Sequence, residues 1–425
     1  MKTINEKVDI VVAGGGTAGH IAAIQASRLG MVTSVIESGS MLGGTMTAGG
    51  VNTPCFFFSK NKQVVAGIPW ELYKKSKEIE GLTIPDYRKR RPIETPGYYS
   101  YINIPVYVSV AEEEALKAGV ILHYHEFIAE VSAIGNFWEI ISYGRGIKRV
   151  TIAKEIIDCT GDSDVVRILG LETLISPKRQ PASYEYKIEG IEYEQIWEKE
   201  VQILYEEALD NGVIKKGDFA YPNLYPFKYY LDQGGHNSTH IYHSDISSAD
   251  GQTQANLEGR ERMLRIFRFL RTTIPGCERA EIKWMAPYAV GRETYRAVGE
   301  YIISKDDFIN ATDFTDKVCN SYNYIDMHGE DIGCEVEFIK DEESLPKIPF
   351  RALIPKGSER ILVAGRNVSA DRMAFAGIRS QCTCMAMGQA MGAAAALAIQ
   401  KGVISREIDS KDIVSVTIEH GAALV

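Results

Sequence analysis

Residues 8–19 read Val8-Asp9-Ile10-Val11-Val12-Ala13-Gly14-Gly15-Gly16-Thr17-Ala18-Gly19, and this stretch decides the fold. Its first half is an apolar, β-branched run typical of a buried strand, and its second half satisfies the pattern G-x-G-x-x-G. An Ala-rich segment at 17–29 and a second strand-like run at 33–37 follow. Strand, helix and parallel strand in this order predict a right-handed β-α-β unit.

The three glycines of the pattern each have a physical role in binding a dinucleotide. Gly14 permits a tight turn, Gly16 lets the backbone approach a pyrophosphate, and Gly19 lets the helix pack closely on the strand. The phosphates then lie at the unpaired N–H groups of the helix N-terminus. Glu37 ends the second strand, where a carboxylate accepts hydrogen bonds from ribose hydroxyls and disfavours the 2′-phosphate of NADP. A Gly-rich turn followed by a surface glutamate is the simpler alternative.

Later segments favour FAD over NAD, because FAD is extended and needs contacts from several strand ends. Glycine pairs stand at 43–44 and 49–50, and Thr160-Gly161-Asp162 follows a predicted strand at 154–158. Gly365-Arg366-Asn367 follows another strand, and a helix rich in small residues is predicted over 380–401. A simple NAD-dependent dehydrogenase does not explain a nucleotide-binding segment that returns near the end of the chain.

The middle of the chain differs in character. A helix from about residue 105 and a strand over 120–124 precede it, and it holds long charged helices, predicted at 193–211 and 257–272. We therefore predict a doubly wound, Rossmann-like α/β FAD-binding domain assembled from both chain ends, residues 1–167 and 346–425. An α+β substrate domain over 168–345 is inserted into it.

Composition excludes several classes of protein. The formal net charge of -9 argues against nucleic-acid binding, and the one basic run, at 88–91, is interpreted as a solvated turn. The seven cysteines include no Cys-x-x-Cys, which fits a reducing cytosol and argues against a zinc ribbon. There is no signal-peptide core and no uninterrupted apolar run of roughly 18 residues, so we expect a cytoplasmic protein without membrane insertion.

The chain resembles the FAD-dependent oxidoreductases, flavoproteins with a glutathione-reductase-like FAD-binding domain. The likeness is carried by VAGGGTAGHIAA at 12–23, IESGSMLGGTMTAGGVN at 36–52, IDCTGDSD at 157–164 and LVAGRNVSADRMAFAGIRSQCTCMAMGQAMGAAAALAI at 362–399. Weaker segments occur between them in the expected order: EGRERMLRIFRFLRTTIPG, VGRETYRAVGEY, IDMHGE and IPFRALIP.

This resemblance implies a tightly bound FAD. It places the diphosphate at the glycine pattern, the adenine beside the backbone of Ile128, and the N-terminus of the last helix at the flavin pyrimidine edge, where the helix dipole stabilises negative charge. The candidate cofactor contacts are Gly14, Gly16, Thr17, Ala18, Gly19, Glu37, Ser38, Gly43, Gly44, Thr45, Ile128, Thr160, Gly161, Asp162, Gly365, Arg366, Gln381, Cys382 and Thr383. No histidine lies between Gly39 and Gly50, so we expect non-covalent FAD.

The segment 291–296 supplies three catalytic candidates, because the resemblance places it beside the flavin. Arg292 and Arg296 can hold a carboxylate or another substrate oxygen, and Tyr295 can relay a proton. An Arg–Glu structural network is the alternative. The family's usual segment carries Ser-Arg where this chain has Thr294 and Tyr295, so the resemblance assigns no role to Tyr295.

Histidines form the second group of candidates. His236, His240 and His243 fall within eight residues, and His236 and His240 are candidates for acid–base catalysis, as is His328. Loop histidines bonded to backbone are the alternative. We predict no metal site, because no acidic or cysteine ligand has diagnostic spacing.

Two further groups have mainly structural interpretations. Cys382 and Cys384 begin the last helix, where a thiol pKa can be lowered, although packing beside the cofactor is favoured. The tyrosines at 98, 99, 101 and 107 are candidates for lining a pocket that takes a sugar-like or ring-containing substrate, and packing against strands is the commoner role of such residues.

These observations predict an FAD-dependent oxidoreductase, a dehydrogenase or reductase that moves hydride between a small organic substrate and flavin N5. The alternatives are a flavin-bearing electron-transfer subunit without its own organic substrate and an NAD-dependent dehydrogenase. No second dinucleotide pattern is present, so the electron acceptor is left open, as is a homo-oligomer.

Overall fold

The structure is a computed structural model that describes residues 1–59, 62–84, 100–329, 333–341 and 344–424. The basic run at 88–91 and the tyrosines at 98 and 99 lie outside these described residues. The strands in these ranges are β1 (Lys2–Lys7), β2 (Ile10–Ala13), β3 (Thr33–Glu37), β4 (Phe58–Ser59), β5 (Lys62–Gln63), β6 (Ile121–Tyr124), β7 (Glu126–Ile134), β8 (Phe137–Gly144), β9 (Ile147–Ala153), β10 (Glu155–Asp158), β11 (Thr173–Leu174), β12 (Ala182–Ser183), β13 (Tyr186–Glu189), β14 (His240–Ile241), β15 (Glu281–Met285), β16 (Arg296–Ala297), β17 (Lys317–Asn320), β18 (Ile325–His328), β19 (Cys334–Glu337), β20 (Lys347–Pro349) and β21 (Ile361–Val363). The helices are α1 (Gly19–Arg28), α2 (Ile68–Ile79), α3 (Ile104–Lys117), α4 (Asp164–Ile168), α5 (Glu198–Asp210), α6 (Lys228–Asp232), α7 (Ala249–Thr273), α8 (Lys305–Ile309), α9 (Arg372–Ile378), α10 (Gln381–Lys401) and α11 (Ser410–Glu419).

A five-stranded parallel sheet is the centre of this mixed α/β fold. Its strand order is β21-β10-β2-β3-β6, and every neighbouring pair is parallel. The inner strands β2 and β10 are buried along their whole length, as expected of a parallel sheet covered on both faces. The central sheet therefore contains both β2, near the start of the chain, and β21, from its last part.

Helix α10 is the main core helix of this region. Its residues from Gln381 to Ala398 are buried except for the partly exposed Ala386, and it packs against α1. A Cβ at Gly388 would lie 2.2 Å from the carbonyl oxygen of Ala18, so only glycine permits this approach. Among the described residues α10 is the one helix long and apolar enough to cross a membrane, and 89% of its 18-residue apolar stretch is buried inside the fold.

A second sheet and a second hydrophobic core complete the fold. Strands β1, β9, β8 and β7 form a four-stranded sheet in that order, with β1 parallel to β9 and the other pairs antiparallel. A separate hydrophobic cluster, called here the second core, gathers buried side chains between Ala182 and Ala289. Residues from Ala297 to Leu345 pack instead in the main core with α10.

Candidate functional site

The carboxyl ends of all five parallel strands meet at one edge of the central sheet. The loops that follow β2, β3, β10 and β21 begin at residues 14, 38, 159 and 364, and β6 is followed almost directly by β7. A cavity of about 440 Å³ opens at this edge and is lined by residues from these four loops and by residues 126–128 at the start of β7. Ligands of open α/β sheets bind in this position.

The glycine turn after β2 contains two glycines, Gly14 and Gly19, that have no room for a side chain, and a third, Gly16, that has open space beside it. A Cβ at Gly14, whose φ is +87°, would lie 2.8 Å from the Cys159 carbonyl oxygen, and one at Gly19 would lie 1.9 Å from that of Gly14. A Cβ at Gly16 meets only the Cys159 oxygen, at 3.8 Å, and Gly16 lines the cavity. Helix α1 begins beside it without a side-chain cap at Ala18, which leaves its positive end directed toward the cavity.

Glu37 connects the glycine turn to the end of β3. One carboxylate oxygen accepts the N–H of Gly15 at 2.7 Å and the other accepts that of Gly39 at 2.6 Å. Burial raises the pKa of Glu37 above its usual value, against the effect of these hydrogen bonds. Ser38 Oγ also donates to the second of these oxygens, at 3.5 Å, whereas the oxygen that accepts from Gly15 keeps a second lone pair and can accept a ribose hydroxyl at the cavity wall.

Asp162 and Arg366 join the loops that follow β10 and β21. Arg366 Nη2 donates to Asp162 Oδ1 at 3.2 Å, and Thr294 donates to the same oxygen at 2.6 Å. The other terminal nitrogen of Arg366, Nη1, is buried without a hydrogen-bond partner. Both Asp162 and Arg366 line the cavity, so this nitrogen is a free donor at a site that a ligand can reach.

The N-terminus of α10 closes the other end of the cavity. Gln381 Nε2 donates to the carbonyl oxygen of Val51 at 2.8 Å, while Gln381 Oε1 is buried without a partner. No side chain caps this helix at Ser380. Arg379, one residue earlier, also lines the cavity, and its Nε is a further buried donor without a partner.

Most of the predicted cofactor contacts line this cavity. They are Gly14, Gly16, Thr17, Ala18, Glu37, Ser38, Gly44, Thr45, Ile128, Thr160, Gly161, Asp162, Gly365, Arg366 and Gln381. Gly19 and Gly43 are not lining residues. Gly19 packs α1 on the turn, and Gly43, with φ +98°, donates its N–H to the Gly15 carbonyl.

Cys382 and Thr383 are not among the described residues that line the cavity, and both are buried. Thr383 Oγ1 lies 2.8 Å from Ser380 Oγ and 3.1 Å from Ser321 Oγ. Burial raises the pKa of the Cys382 thiol and raises that of Cys384 to about 12, so the helix N-terminus does not activate either thiol. Packing is their role, although Cys384 touches the cavity.

Sequence reasoning missed other parts of the lining. They are Ile36, Glu126, Phe127, Cys159, Asp164, Ile246, Gln252, Tyr288, Ala289, Val290, Ala364 and Arg379. Gly291 and Cys384, which were expected beside the cofactor, also line the cavity. Glu126 and Phe127 stand beside the predicted Ile128, which was the available signal for them. Ile246 and Gln252 come from the middle of the chain, and no local pattern marks them.

Two of the three candidates in segment 291–296 have structural contacts. Arg296 is almost fully buried, donates to Glu293 at 2.8 Å and lies over the Phe375 ring. Tyr295 lies under the Arg167 guanidinium, 4.1 Å from the ring centroid. Neither is among the described residues that line the cavity, so the structure favours the Arg–Glu network for Arg296 and packing for Tyr295.

Arg292, His240 and His328 meet Asp326 and Arg379 in what we call the histidine cluster. The imidazole rings of His240 and His328 are 4.8 Å apart, and His328 Nε2 lies 3.1 Å from Asp326 Oδ2. Arg379 Nη2 donates to the same oxygen at 3.1 Å. Of the cluster, Arg379 is the one member among the described residues that lines the cavity, so the cluster adjoins the end of the cavity beside α10 through this side chain, and His240, His328, Asp326 and Arg292 lie behind it.

Both histidines of the cluster are held neutral. Burial lowers the pKa of His328 to about 4, and the charge of Arg292 acts in the same direction against Asp326. Burial and Arg292 likewise hold the pKa of His240 well below its usual value. His240 Nε2 and His328 Nδ1 are both buried without hydrogen-bond partners, so the cluster presents two unused imidazole nitrogens.

His236 is paired with the carboxylate of Glu185 and does not belong to the histidine cluster. Its Nδ1 is 3.1 Å from Glu185 Oε2, and its Nε2 is buried without a partner. Of the tyrosines, Tyr101 is exposed, while Tyr107 is buried and bonds His20 Nε2 at 3.1 Å. Tyr107 therefore packs behind α1.

Asp326, His328 and Cys334 bring potential metal-ligating atoms within 4.8 Å of one another. The Cys334 thiol donates to Asp326 Oδ1 at 2.9 Å, and burial raises the pKa of this thiol. Arg379 already holds the other oxygen of Asp326. A protonated thiol and an adjacent guanidinium disfavour a bound cation, and the absence of a metal stays a prediction.

The cavity as a whole fits an extended dinucleotide. Its wall has an open glycine at Gly16, two uncapped helix N-termini, a carboxylate at Glu37, and unused polar atoms on Arg366 and Gln381. The open glycine and the first helix suit a diphosphate, the carboxylate suits a ribose, and the second helix suits an anionic ring edge.

Solved structures with a similar arrangement are flavoproteins or related enzymes. A geranylgeranyl bacteriochlorophyll reductase-like protein from Thermoplasma acidophilum is 13% identical with a TM-score of 0.47, covering 98% of this chain and 83% of its own. The p-nitrophenol 4-monooxygenase of Pseudomonas putida is 14% identical with a TM-score of 0.43, covering 99% and 85%. These likenesses are too distant to carry an argument about function, and no curated protein matches the chain.

The sequence itself carries the assignment. The family described as FAD dependent oxidoreductase matches residues 9–416, which include both ends of the central sheet and the segment between them. The chain belongs to this family, and it is an enzyme whose cofactor is FAD.

Proposed function

We propose that this enzyme moves hydride between a small organic substrate and FAD at the end of the cavity beside α10. The observation that carries the proposal is the set of buried polar atoms without partners at this end: Gln381 Oε1, Arg379 Nε, His328 Nδ1 and His240 Nε2. Buried polar groups are costly unless they are hydrogen-bonded, so their concentration supports a ligand site. When bound, FAD supplies the acceptor or donor of the hydride at its N5.

The chain's own contribution is to position the substrate and to move a proton. An ionised carboxylate only accepts hydrogen bonds, and interactions with His328 and Arg379 keep the pKa of Asp326 well below its usual value despite its burial. His328 therefore carries its proton on Nε2 and donates a hydrogen bond from it to Asp326. Its Nδ1 is left with a free lone pair. In oxidation of a C–H bond beside a hydroxyl, Nδ1 accepts the hydroxyl proton while Asp326 stabilises the imidazolium.

The finer domain assignment belongs to the same proposal. We propose that residues 1–167 and 346–425 form a doubly wound FAD-binding domain and that 168–345 are inserted as a substrate domain. The second core between Ala182 and Ala289 supports an insertion with its own packing. Its neighbours Ile246 and Gln252 reach the cavity, which supports a covering role.

Family membership removes the NAD-dependent alternative, but the electron acceptor is a separate question. We propose an acceptor outside this chain and a cytoplasmic location, as the cysteine usage suggests. All seven cysteines are free in the structure. Cys55 and Cys384 lie near the cluster or the cavity, and burial raises the pKa of both thiols to about 12, which makes them poor nucleophiles.

The test is anaerobic absorbance spectroscopy of the FAD-loaded enzyme. Hydroxy acids, sugars and amines are added to the oxidised protein, and enones to the reduced protein. We expect one class to bleach or restore the flavin, and His328→Asn to slow that reaction by about 10²–10⁴-fold. His125→Asn is the matched control, because His125 is exposed and its φ of +59° suits asparagine.

Two results contradict the proposal. If no compound changes the flavin, an electron-transfer subunit without its own organic substrate becomes the better description. If a compound reacts but His328→Asn and His125→Asn behave alike, the proton passes elsewhere and the histidine cluster is not the reaction site.

A further inference from the structure

Arg292 differs from the other arginines near the cavity in the partners of its side chain. Its Nη1 donates to the Pro181 carbonyl oxygen at 3.0 Å and its Nη2 to Asn237 Oδ1 at 3.5 Å. Both acceptors are neutral, and within the described ranges no carboxylate oxygen lies within 4 Å of this guanidinium. The other three arginines each hold a carboxylate: Arg296 with Glu293, Arg366 with Asp162 and Arg379 with Asp326.

Arg292 lies at the histidine cluster rather than at the open surface. Its side chain is only partly exposed, and its charge acts on His240, His328 and Tyr221. His240 and His328 are buried and uncharged, so they provide hydrogen-bonding nitrogens without a compensating negative charge. A partly buried guanidinium keeps more of its attraction for an anion than one in bulk water, because the local dielectric constant is lower.

The carboxylates of this region are already engaged. Asp326 accepts hydrogen bonds from His328, Arg379 and Cys334. Glu185 accepts the Asn237 N–H at 2.7 Å and faces His236. Neither forms an ion pair with Arg292, so among the described residues the charge of this side chain is not paired with a carboxylate.

We propose that the substrate of this enzyme is a carboxylic acid and that Arg292 binds its carboxylate. The proposal rests on the proposed function, which places an organic substrate at the histidine cluster. The planar guanidinium matches a carboxylate with two parallel hydrogen bonds, and binding would neutralise the charge that Arg292 carries there. The uncharged part of the substrate then lies toward Arg379 and the cavity, against the unused nitrogens of His240 and His328.

The direction of the charge effect agrees with this arrangement. Arg292 lowers the pKa of His328, which weakens His328 as a proton acceptor while the site is open. A carboxylate bound to Arg292 offsets that effect, because it places a negative charge beside the same imidazole. The substrate's own anionic group thus strengthens the base that the substrate needs.

The experiment is a binding titration of the FAD-loaded enzyme in which the change in flavin absorbance reports binding. Each acid is compared with the uncharged amide of the same shape, using lactate with lactamide, succinate with succinamide, and benzoate with benzamide. We expect at least one acid to bind on the order of tenfold to a hundredfold more tightly than its amide, the range of a charge-assisted hydrogen bond.

Variants assign the preference to Arg292. Arg292→Gln should remove the preference for the acid and leave amide binding unchanged, and Arg292→Lys should restore part of it, since lysine keeps the charge without the planar fork. Arg271→Gln is the matched control, because Arg271 is exposed and, among the described residues, its side chain donates to the backbone carbonyl oxygen of Glu278. The thermal midpoint of each variant verifies that it is folded.

Each outcome bears on one proposal. Equal binding of acids and amides by the wild-type enzyme, or an acid preference that survives in Arg292→Gln, overturns the carboxylate site. If the acid preference is present and depends on Arg292 but no acid bleaches the flavin, the carboxylate site stands and the hydride-transfer proposal fails. If amides or other neutral compounds bleach the flavin as fast as acids, hydride transfer stands and the carboxylate site is wrong.

Discussion

Gly16→Ala tests the phosphate end of the cavity with the smallest possible perturbation. Gly16 does not have a positive φ, and the added methyl group meets only the Cys159 carbonyl oxygen at 3.8 Å, an ordinary van der Waals distance. The protein without FAD should therefore fold as well as the wild type. The methyl group would stand where the backbone approaches the diphosphate. Losing one or two hydrogen bonds to that charged group costs about 1.5–3 kcal/mol, a rise in Kd of about 10- to 100-fold.

The assay combines FAD titration with thermal unfolding of the FAD-free protein. Gly19→Ala is the contrasting variant, because its Cβ would lie 1.9 Å from the Gly14 carbonyl oxygen and must displace backbone. It should lower the unfolding midpoint of the FAD-free protein, whereas Gly16→Ala should not. An unchanged Kd in Gly16→Ala, with the protein folded, would refute the placement of the diphosphate at Gly16.

Three other predictions concern stability and reactivity. Burial raises the pKa of Glu155 from 4.5 to about 8, so its contribution to stability is complete below pH 4.5 and is lost as pH rises through 8. Between these pH values the free energy of unfolding, measured with urea, should fall relative to that of Glu155→Gln by up to about 1.4 kcal/mol per pH unit. Parallel plots of unfolding free energy against pH for the two proteins would contradict this. Cys382 and Cys384 should resist alkylation in the folded enzyme and react after unfolding, as mass spectrometry of labelled peptides would show; fast labelling of the native protein would mean an activated thiol. Phe227→Ala, in the second core, should cost about 3–5 kcal/mol of unfolding free energy, while Trp197→Ala, at an exposed site, should cost little, and equal effects would contradict the burial of Phe227.

The elements of the central sheet could be predicted from sequence because their signals are local. Strand β3 was predicted at 33–37 and is found at Thr33–Glu37, and the helix predicted over 380–401 is found at Gln381–Lys401. Helix α7 begins at Ala249, earlier than the predicted 257, because its first turns are polar and lack apolar periodicity. The helix predicted over 193–211 is interrupted, since Ile196 and Trp197 are extended and α5 begins at Glu198.

The two ends of the candidate site differ in how far sequence could reach. The end of the cavity at Gly16 is built from one contiguous turn and a nearby strand end. Its glycines and Glu37 therefore form a local sequence pattern that predicts a dinucleotide site. The histidine cluster is assembled from segments far apart: His240, Arg292, Asp326 with His328, and Arg379. Arg292 and Arg296 look alike in sequence, and only the fold shows that Glu293 occupies one of them and no carboxylate of the described residues occupies the other.

The most direct test of this account is a crystal structure of the enzyme with FAD bound. The account predicts one FAD along the carboxyl edge of the central sheet, with its diphosphate beside Gly16 and its flavin ring near Arg379 and Gln381. Flavin density at any other surface, or FAD bound with the cavity between Gly16 and Gln381 empty, would contradict it.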